Sequence, residues 1–171
     1  MNRAQLEHVV RASGSVADVD ELVVVGSQAI LAARPDAPAE LLVSMEADVY
    51  PPQAPERATL IDGSIGELSP FHQTFGYYAH GVSPETARLP ADWRTRAIKL
   101  QNENTGGVTA WCLAPADLAV SKLLAGREKD FSFVRVLLQC RLVEIPNLLA
   151  VAVGLTESDT NLLRERLARL V

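Results

Sequence analysis

Cysteine is scarce in this chain: Cys112 and Cys140 are the only two in 171 residues. They lack metal-ligand spacing, and both sit in apolar settings, so the reading is two buried thiols of a reducing compartment rather than a disulfide framework. No apolar run approaches the roughly 20 residues that a membrane helix needs. Arg3, Glu7 and His8 fall within an amphipathic N-terminal pattern, which does not read as a signal peptide. The expected location is the cytoplasm. Basic excess is missing as well. A formal net charge of −5 argues against extensive nonspecific binding to nucleic acid, which relies on neutralising many phosphates. A small basic patch is still compatible with that charge, and an acidic protein can take a nucleotide through a divalent cation. There is no internal repeat, low-complexity tract or flexible linker. The length suits one domain with a real core.

What is present centres on Glu21 to Tyr50, ELVVVGSQAILAARPDAPAELLVSMEADVY. Leu22 to Val25 reads as a buried strand ending on Gly26-Ser27, and Gln28 to Ala33 as a short helix stopped by Arg34-Pro35. Leu41 to Tyr50 gives a second strand, closed by Pro51-Pro52. It carries Glu46 and Asp48, and side chains two apart on a strand share a face. Two carboxylates beside a glycine bend that opens a helix suit Mg²⁺ and the phosphates of a nucleotide. The bend is not a P-loop, because no Gly-Lys-Ser/Thr follows. It is not a Rossmann fingerprint either, because the second and third glycines are absent.

Around this stretch, Asn2 to Ser13 predicts a helix through Leu6, Val9 and Val10, with Gly14 as its stop. Ser15 to Asp20 then form a polar entry to the first strand. Gln53 to Ile65 predicts another helix. The segment Gly66 to Val82 is dense in aromatics and histidines, with turns at Ser69-Pro70 and Gly81 and a strand at Tyr77 to Ala79. Pro84 to Asp92 reads as loop. Strands follow at Arg96 to Leu100 and Val108 to Leu113, joined by a turn over Asn102 to Gly107. Helices are then expected from Pro115 to Gly126, from Lys129 to Leu142, from Pro146 to Val153, and after the cap Thr156. Leu162, Leu163, Leu167 and Leu170 form the apolar stripe of the last.

The strand, Gly-Ser, helix and acid-x-acid order resembles the nucleotidyltransferase fold of the DNA polymerase β type, in its minimal bacterial form. That resemblance implies an α/β (α+β) chain: a mixed, twisted sheet flanked by helices, followed by a C-terminal helical part. Residues 1–113 would form the nucleotidyltransferase-like core and 114–171 the helical part packed on it, as one compact unit. The family would place a divalent metal on Glu46 and Asp48, and a nucleotide against Gly26 and Ser27. Two features depart from the family's pattern: Glu46 stands where it more often has aspartate, and about eighteen residues separate Ser27 from Glu46.

The segment Asp117 to Phe133, DLAVSKLLAGREKDFSF, narrows the resemblance to nucleotidyltransferase toxins of bacterial toxin–antitoxin and phage-defence systems, the AbiEii-like and MenT-like group. Lys122 matches that group's helical lysine and Asp130 the aspartate opening the next helix. The resemblance makes Asp48, Lys122 and Asp130 catalytic candidates, and adds Lys122, Arg127 and Lys129 to the nucleotide-binding set. The bland reading of these residues is solvated lysines and an N-cap aspartate. In the aromatic segment, His72, Tyr77, Tyr78 and His80 are candidates to line a base or acceptor pocket, against ordinary packing. Asp62 is a candidate third metal carboxylate, and the histidines lack zinc companions. Trp93, Arg94, Arg96 and Lys99 form a basic cluster that would touch an RNA acceptor or simply cover a strand.

The resemblance implies an Mg²⁺-dependent enzyme that moves a nucleotide from an NTP to an acceptor hydroxyl. The acceptor would be an RNA, with the tRNA 3′ end the leading choice and a block of translation the outcome. A cognate antitoxin protein would be the partner, and no membrane is involved. Two alternatives stay open: a small-molecule acceptor such as an antibiotic, and a non-catalytic binding module on the same fold.

Overall fold

In the computed structural model, residues 1–170 are described and form a five-stranded mixed sheet flanked by helices. The strands are β1 (Glu21–Val24), β2 (Glu46–Tyr50), β3 (Tyr78–Gly81), β4 (Ile98–Leu100) and β5 (Thr109–Cys112), in the order β3-β2-β1-β5-β4. Strand β1 is central, antiparallel to β2 and parallel to β5; β2 pairs parallel with β3, and β4 antiparallel with β5. Its Leu22-Val23-Val24 run is apolar without alternation because all three side chains are fully buried. That is the signature of a strand covered on both sides. The edge strand β4 carries the exposed Lys99, a charge that discourages pairing with another chain.

Helix α1 (Arg3–Ala17) starts on a capping box, in which the Asn2 side chain accepts from the Gln5 amide and the Gln5 side chain from the Asn2 amide. It runs beyond the expected stop. Gly14 lies inside the helix, where Val108 and the Val19 carbonyl press so close that a β-carbon would collide. The turn is made instead by Asp18, in the left-handed region at φ 51°, which aspartate tolerates better than most residues. The stretch Ser15 to Ala17 is therefore helix rather than a polar entry.

The second strand is shorter than its pattern suggested. Residues 41–45 form a turn and loop, with Val43 and Met45 facing solvent. The Met1 ammonium donates to the Leu42 and Ser44 carbonyls at 2.8 and 2.9 Å, taking acceptors that a sheet ladder would use. Downstream of Gly26, a 3₁₀ turn (Ser27–Ala29) leads into the one-turn helix α2 (Ile30–Ala33). Arg3 donates to the Leu31 and Ala32 carbonyls at its end.

Helix α3 (Ala58–Ile65) is preceded by a 3₁₀ turn at Pro55–Arg57. A short helix, α4 (Pro70–Phe75), occupies the segment where Ser69-Pro70 had read as a turn. Ser69 is its N-cap, accepting from the His72 amide, with proline in the first turn, and Gly76 closes it at φ 75°. The expected loop at Pro84 to Asp92 contains one 3₁₀ turn.

The C-terminal part holds α5 (Pro115–Ala125), α6 (Glu128–Gln139), α7 (Ile145–Val151) and α8 (Glu157–Ala168). Helix α5 buries Asp117, Leu118, Ala119, Val120, Leu123 and Leu124, because α6, α7 and α8 all pack against it. A helix buried nearly all round belongs at the middle of a bundle. Gly126 ends it in the left-handed conformation at φ 73°. Cys112 is buried, and burial pushes its thiol up to about 12; Cys140 is exposed at the end of α6, contrary to the expectation of two buried thiols.

Candidate active site

Strand alternation and cross-strand register give the sheet two unlike faces. Leu22, Val24, Ala47, Val49, Ala79, Ala110 and Cys112 share one face and have no exposure. Helix α3 lies against this side, where Gly81 meets the Ala58 backbone. The other face carries Glu46, Asp48, Tyr78, His80, Glu21, Trp111 and Lys99, all at least partly exposed, around Val23 and Tyr50, which are buried. Glu46 and Asp48 therefore project from the open face.

Asp48 reaches the end of β1. The Val25 amide donates to the Asp48 carbonyl at 3.0 Å, so the pairing of β1 and β2 continues up to the bend. A β-carbon on Gly26 would overlap Asp48 Oδ2 and crowd the rest of that side chain. Gly26 is extended, at φ −78°; what its position requires is a missing side chain, so that the carboxylate can lie against the bend. Ser27, half-buried, opens the turn that follows.

Strand β3 completes the cluster. Its register sets Tyr78 beside Glu46 and His80 beside Asp48. Tyr78 Oη donates to Glu46 Oε2 at 3.2 Å, and His80 Nδ1 lies 3.0 Å from Asp48 Oδ1. One ligand atom from each of Glu46, Asp48 and His80 falls within 4.8 Å of the other two. Burial pushes the Asp48 carboxyl above its ordinary value and the Glu46 charge adds to this, against the pull of His80 and Lys122. Burial and the neighbouring Glu46 charge push the Tyr78 phenol up to about 12, so it remains a neutral donor.

The cations come from the helical part. Lys122 on α5 lies close enough to Asp48 for the two charges to interact. Its Nζ is 3.3 Å from Asp130 Oδ1 and 4.6 Å from the centre of the Phe133 ring. Burial lowers the Lys122 pKa, and Asp130 pulls it partly back. Asp130 has no exposure and is not the N-cap of α6, which is Arg127, but its third residue, reaching back to the cap: the Arg127 amide donates to its Oδ2 at 3.2 Å, and Arg127 Nε does so at 2.7 Å. Burial alone would raise the Asp130 carboxyl. The hydrogen bonds of Arg127 and the Lys122 charge outweigh it and hold the carboxyl below its ordinary value. Closing the first turn of α6 and contacting the lysine thus fall to one side chain.

The residues singled out in the sequence divide clearly. Gly26, Glu46, Asp48, Lys122, Arg127 and Asp130 converge on one region, whereas Lys129 is exposed on α6. Asp62 is exposed on α3, the helix over the closed face, away from Glu46 and Asp48. Tyr77 turns inward and bonds His8 at 2.8 Å within a cluster that includes Phe71 and Phe75, so it packs the core. His72 packs instead against Tyr78, the rings tilted by 46° with their centres 4.6 Å apart. The pairing of His80 with Asp48 had no local signal. Its only trace is the Tyr78-x-His80 spacing, which puts both on one face of a strand.

The family model described as "Nucleotidyltransferase of unknown function (DUF6036)" matches residues 4–170. The chain belongs to this family. No curated protein and no solved structure matches it. Membership agrees with the fold, a five-stranded mixed sheet flanked by helices. Among the described residues, no helix is long and apolar enough to cross a membrane.

Proposed function

We propose that this chain is a catalytically active, divalent-metal-dependent nucleotidyltransferase, and that Mg²⁺ is held by Glu46 and Asp48. The observation carrying this reading is Asp48 seated against Gly26, with Glu46 and His80 in the same cluster. The donor set fits such an ion. Burial first and the neighbouring Glu46 charge second hold the Asp48 carboxyl above its ordinary value, a cost that a bound cation would offset. Oxygen-rich sites suit hard divalent cations, and the imidazole widens the choice to Mn²⁺.

When bound, the ion would neutralise phosphate charge and polarise the α-phosphate for attack by a hydroxyl. The protein's own groups do the rest. Gly26 lets the backbone come close to the triphosphate, with the Ser27 hydroxyl as a further donor. Lys122 meets negative charge on the departing pyrophosphate, and Asp130 fixes where Lys122 and Arg127 stand. Tyr78 holds Glu46 in place through its hydroxyl. In this division, residues 1–113 supply the carboxylates and residues 114–171 the cations, as one functional unit; residue 171 lies outside the described residues.

The acceptor we favour is the 3′ hydroxyl of an RNA, tRNA first, with the chain acting in the cytoplasm as a toxin held in check by an antitoxin protein. The downstream match at Lys122 and Asp130 to AbiEii-like and MenT-like toxins supports it. A small-molecule acceptor such as an antibiotic is the second reading, favoured by the net charge of −5. The binding-module reading loses one of its arguments. The long spacer after Ser27 is taken up by a loop pinned to the N-terminus, and Asp48 still reaches the bend.

The test is transfer itself: purified protein, Mg²⁺, each labelled NTP and total tRNA, beside Asp48→Ala. Label on tRNA from the wild type alone supports the proposal. Nucleotide-dependent thermal stabilisation without labelled RNA moves the acceptor to a small molecule. Absence of both refutes the enzymatic reading. Growth arrest on expression, relieved by a neighbouring gene, tests the toxin role separately.

A further inference from the structure

The face that carries the carboxylates holds a second feature, beyond the buried Val23 and Tyr50. A cleft of about 260 Å³ is lined by Glu21, Trp93, Arg94, Ala97 and Trp111. Trp111 sits across from Val23 on β1 and beside Lys99 on β4, so it shares the face of Asp48. Two strand spacings of about 4.8 Å and one two-residue step put the Trp111 backbone about 12 Å from that of Asp48.

The cleft is held in shape by charges that are already satisfied. Arg96, just after the Trp93–Thr95 turn, binds Asp117 through Nε and Nη2 at 3.0 and 2.8 Å, and Asp92 at 2.6 and 3.0 Å. Asp117 has no exposure, so the turn carrying Trp93 is fastened to α5. This takes Arg96 out of the basic cluster read from the sequence. Arg94 and Lys99 stay exposed, and Arg94 lies over the Trp93 ring at 5.4 Å. Glu21 accepts from Trp111 Nε1 at 3.5 Å and from Gln53 at 3.3 Å, which keeps a carboxylate at the wall.

We infer that this cleft binds a nucleobase of the acceptor RNA, next to the nucleotide whose hydroxyl attacks; the inference rests on the transferase reading above. Aromatic walls suit the faces of a base. A carboxylate favours a base that presents an exocyclic amino group or ring N–H, and Arg94 and Lys99 suit the flanking phosphates. The position also agrees with in-line displacement. Gly26, Lys122 and Arg127 gather where β1 ends, and that is where the donor's phosphates belong. The nucleophile must enter opposite the leaving pyrophosphate, and the cleft lies towards the start of β1, at Glu21.

Both tryptophans of the chain line this cleft, so intrinsic fluorescence reports on it without regard to catalysis. Asp48→Asn protein in EDTA, which cannot turn over, is titrated with the RNA trinucleotides of A, C, G and U, and separately with the four NTPs. At least one trinucleotide should quench emission saturably. In that background Trp111→Ala, read through Trp93, should bind it about tenfold more weakly. Ala97→Leu keeps both tryptophans, narrows the space and should show the same loss. With active enzyme, Ala97→Leu should raise the KM for RNA and leave that for NTP unchanged.

No saturable quench by any trinucleotide overturns the inference, as does unchanged affinity in both cleft variants. A quench by NTPs alone overturns the acceptor assignment, because the occupant is then the donor base. The two readings fail separately. RNA transfer with an unchanged KM in Ala97→Leu sinks the cleft and spares the enzyme. Trinucleotide binding lost in the cleft variants, without any transfer, sinks the enzyme and spares the cleft.

Discussion

Two groups of buried or half-buried carboxylates in this protein have opposite surroundings. Asp117 and Asp130, under the helices, have no exposure, and each is gripped by an arginine through two nitrogens. Glu46 and Asp48, on the open face of the sheet, sit beside each other with a phenol and an imidazole as neighbours. Asp130 titrates below its ordinary value and Asp48 above. The first group has had its desolvation cost offset by built-in cations. Asp48 keeps part of that cost, which the Mg²⁺ proposed above would offset.

The sharpest way to break this contrast is to remove a carboxylate from the satisfied group. Asp117→Ala leaves Arg96 without its buried partner and should cost about 3–5 kcal/mol of stability, measured by chemical denaturation. If it were nearly neutral, the arginine-gripped carboxylates would not be structural. The matching change in the other group, Asp48→Asn, should lower nucleotidyl transfer by about 10²–10³-fold with Tm unchanged or raised, because it relieves repulsion. Loss of folding in that variant would erase the distinction.

Gly26→Ala sharpens the geometry. The added methyl displaces the Asp48 carboxylate, so a loss of at least about tenfold in transfer is expected, with far-UV circular dichroism preserved. Acid titration then tests Asp130. The folded pKa of Asp130 is depressed, so its stabilisation is complete above the unfolded carboxylate value near 4 and is lost as pH falls through the folded value. The Tm gap between wild type and Asp130→Asn should be widest at about pH 7, narrow as pH falls below that unfolded value, and close once the folded carboxyl is protonated. The smallest effect is expected for Tyr78→Phe, which removes one hydrogen bond to Glu46 and should cost about 1 kcal/mol in transition-state binding, read as kcat/KM.

What the sequence disclosed follows the range of its interactions. The β1 run, the Gly26-Ser27 bend and the Glu46-x-Asp48 pair are local patterns, and their register keeps all three together. Lys122 and Asp130 are eight residues apart on consecutive helices, so they too were readable. His80 was not, because it joins Asp48 only through the parallel pairing of β2 with β3. The Trp93–Trp111 cleft and the Arg96–Asp117 bond likewise depend on long-range placement of β4 and β5. Short-range misreadings have a different cause. Gly14 looks like a helix stop until Val108 packs on it, and Ser69-Pro70 serves a turn and a helix start equally well.

The most direct trial of the catalytic assignment is a crystal structure with Mn²⁺ and a non-hydrolysable NTP. The account predicts an anomalous peak between Glu46 and Asp48, with the triphosphate along Gly26 and Ser27 and facing Lys122. Metal and triphosphate bound elsewhere, with the two carboxylates left bare, would contradict it.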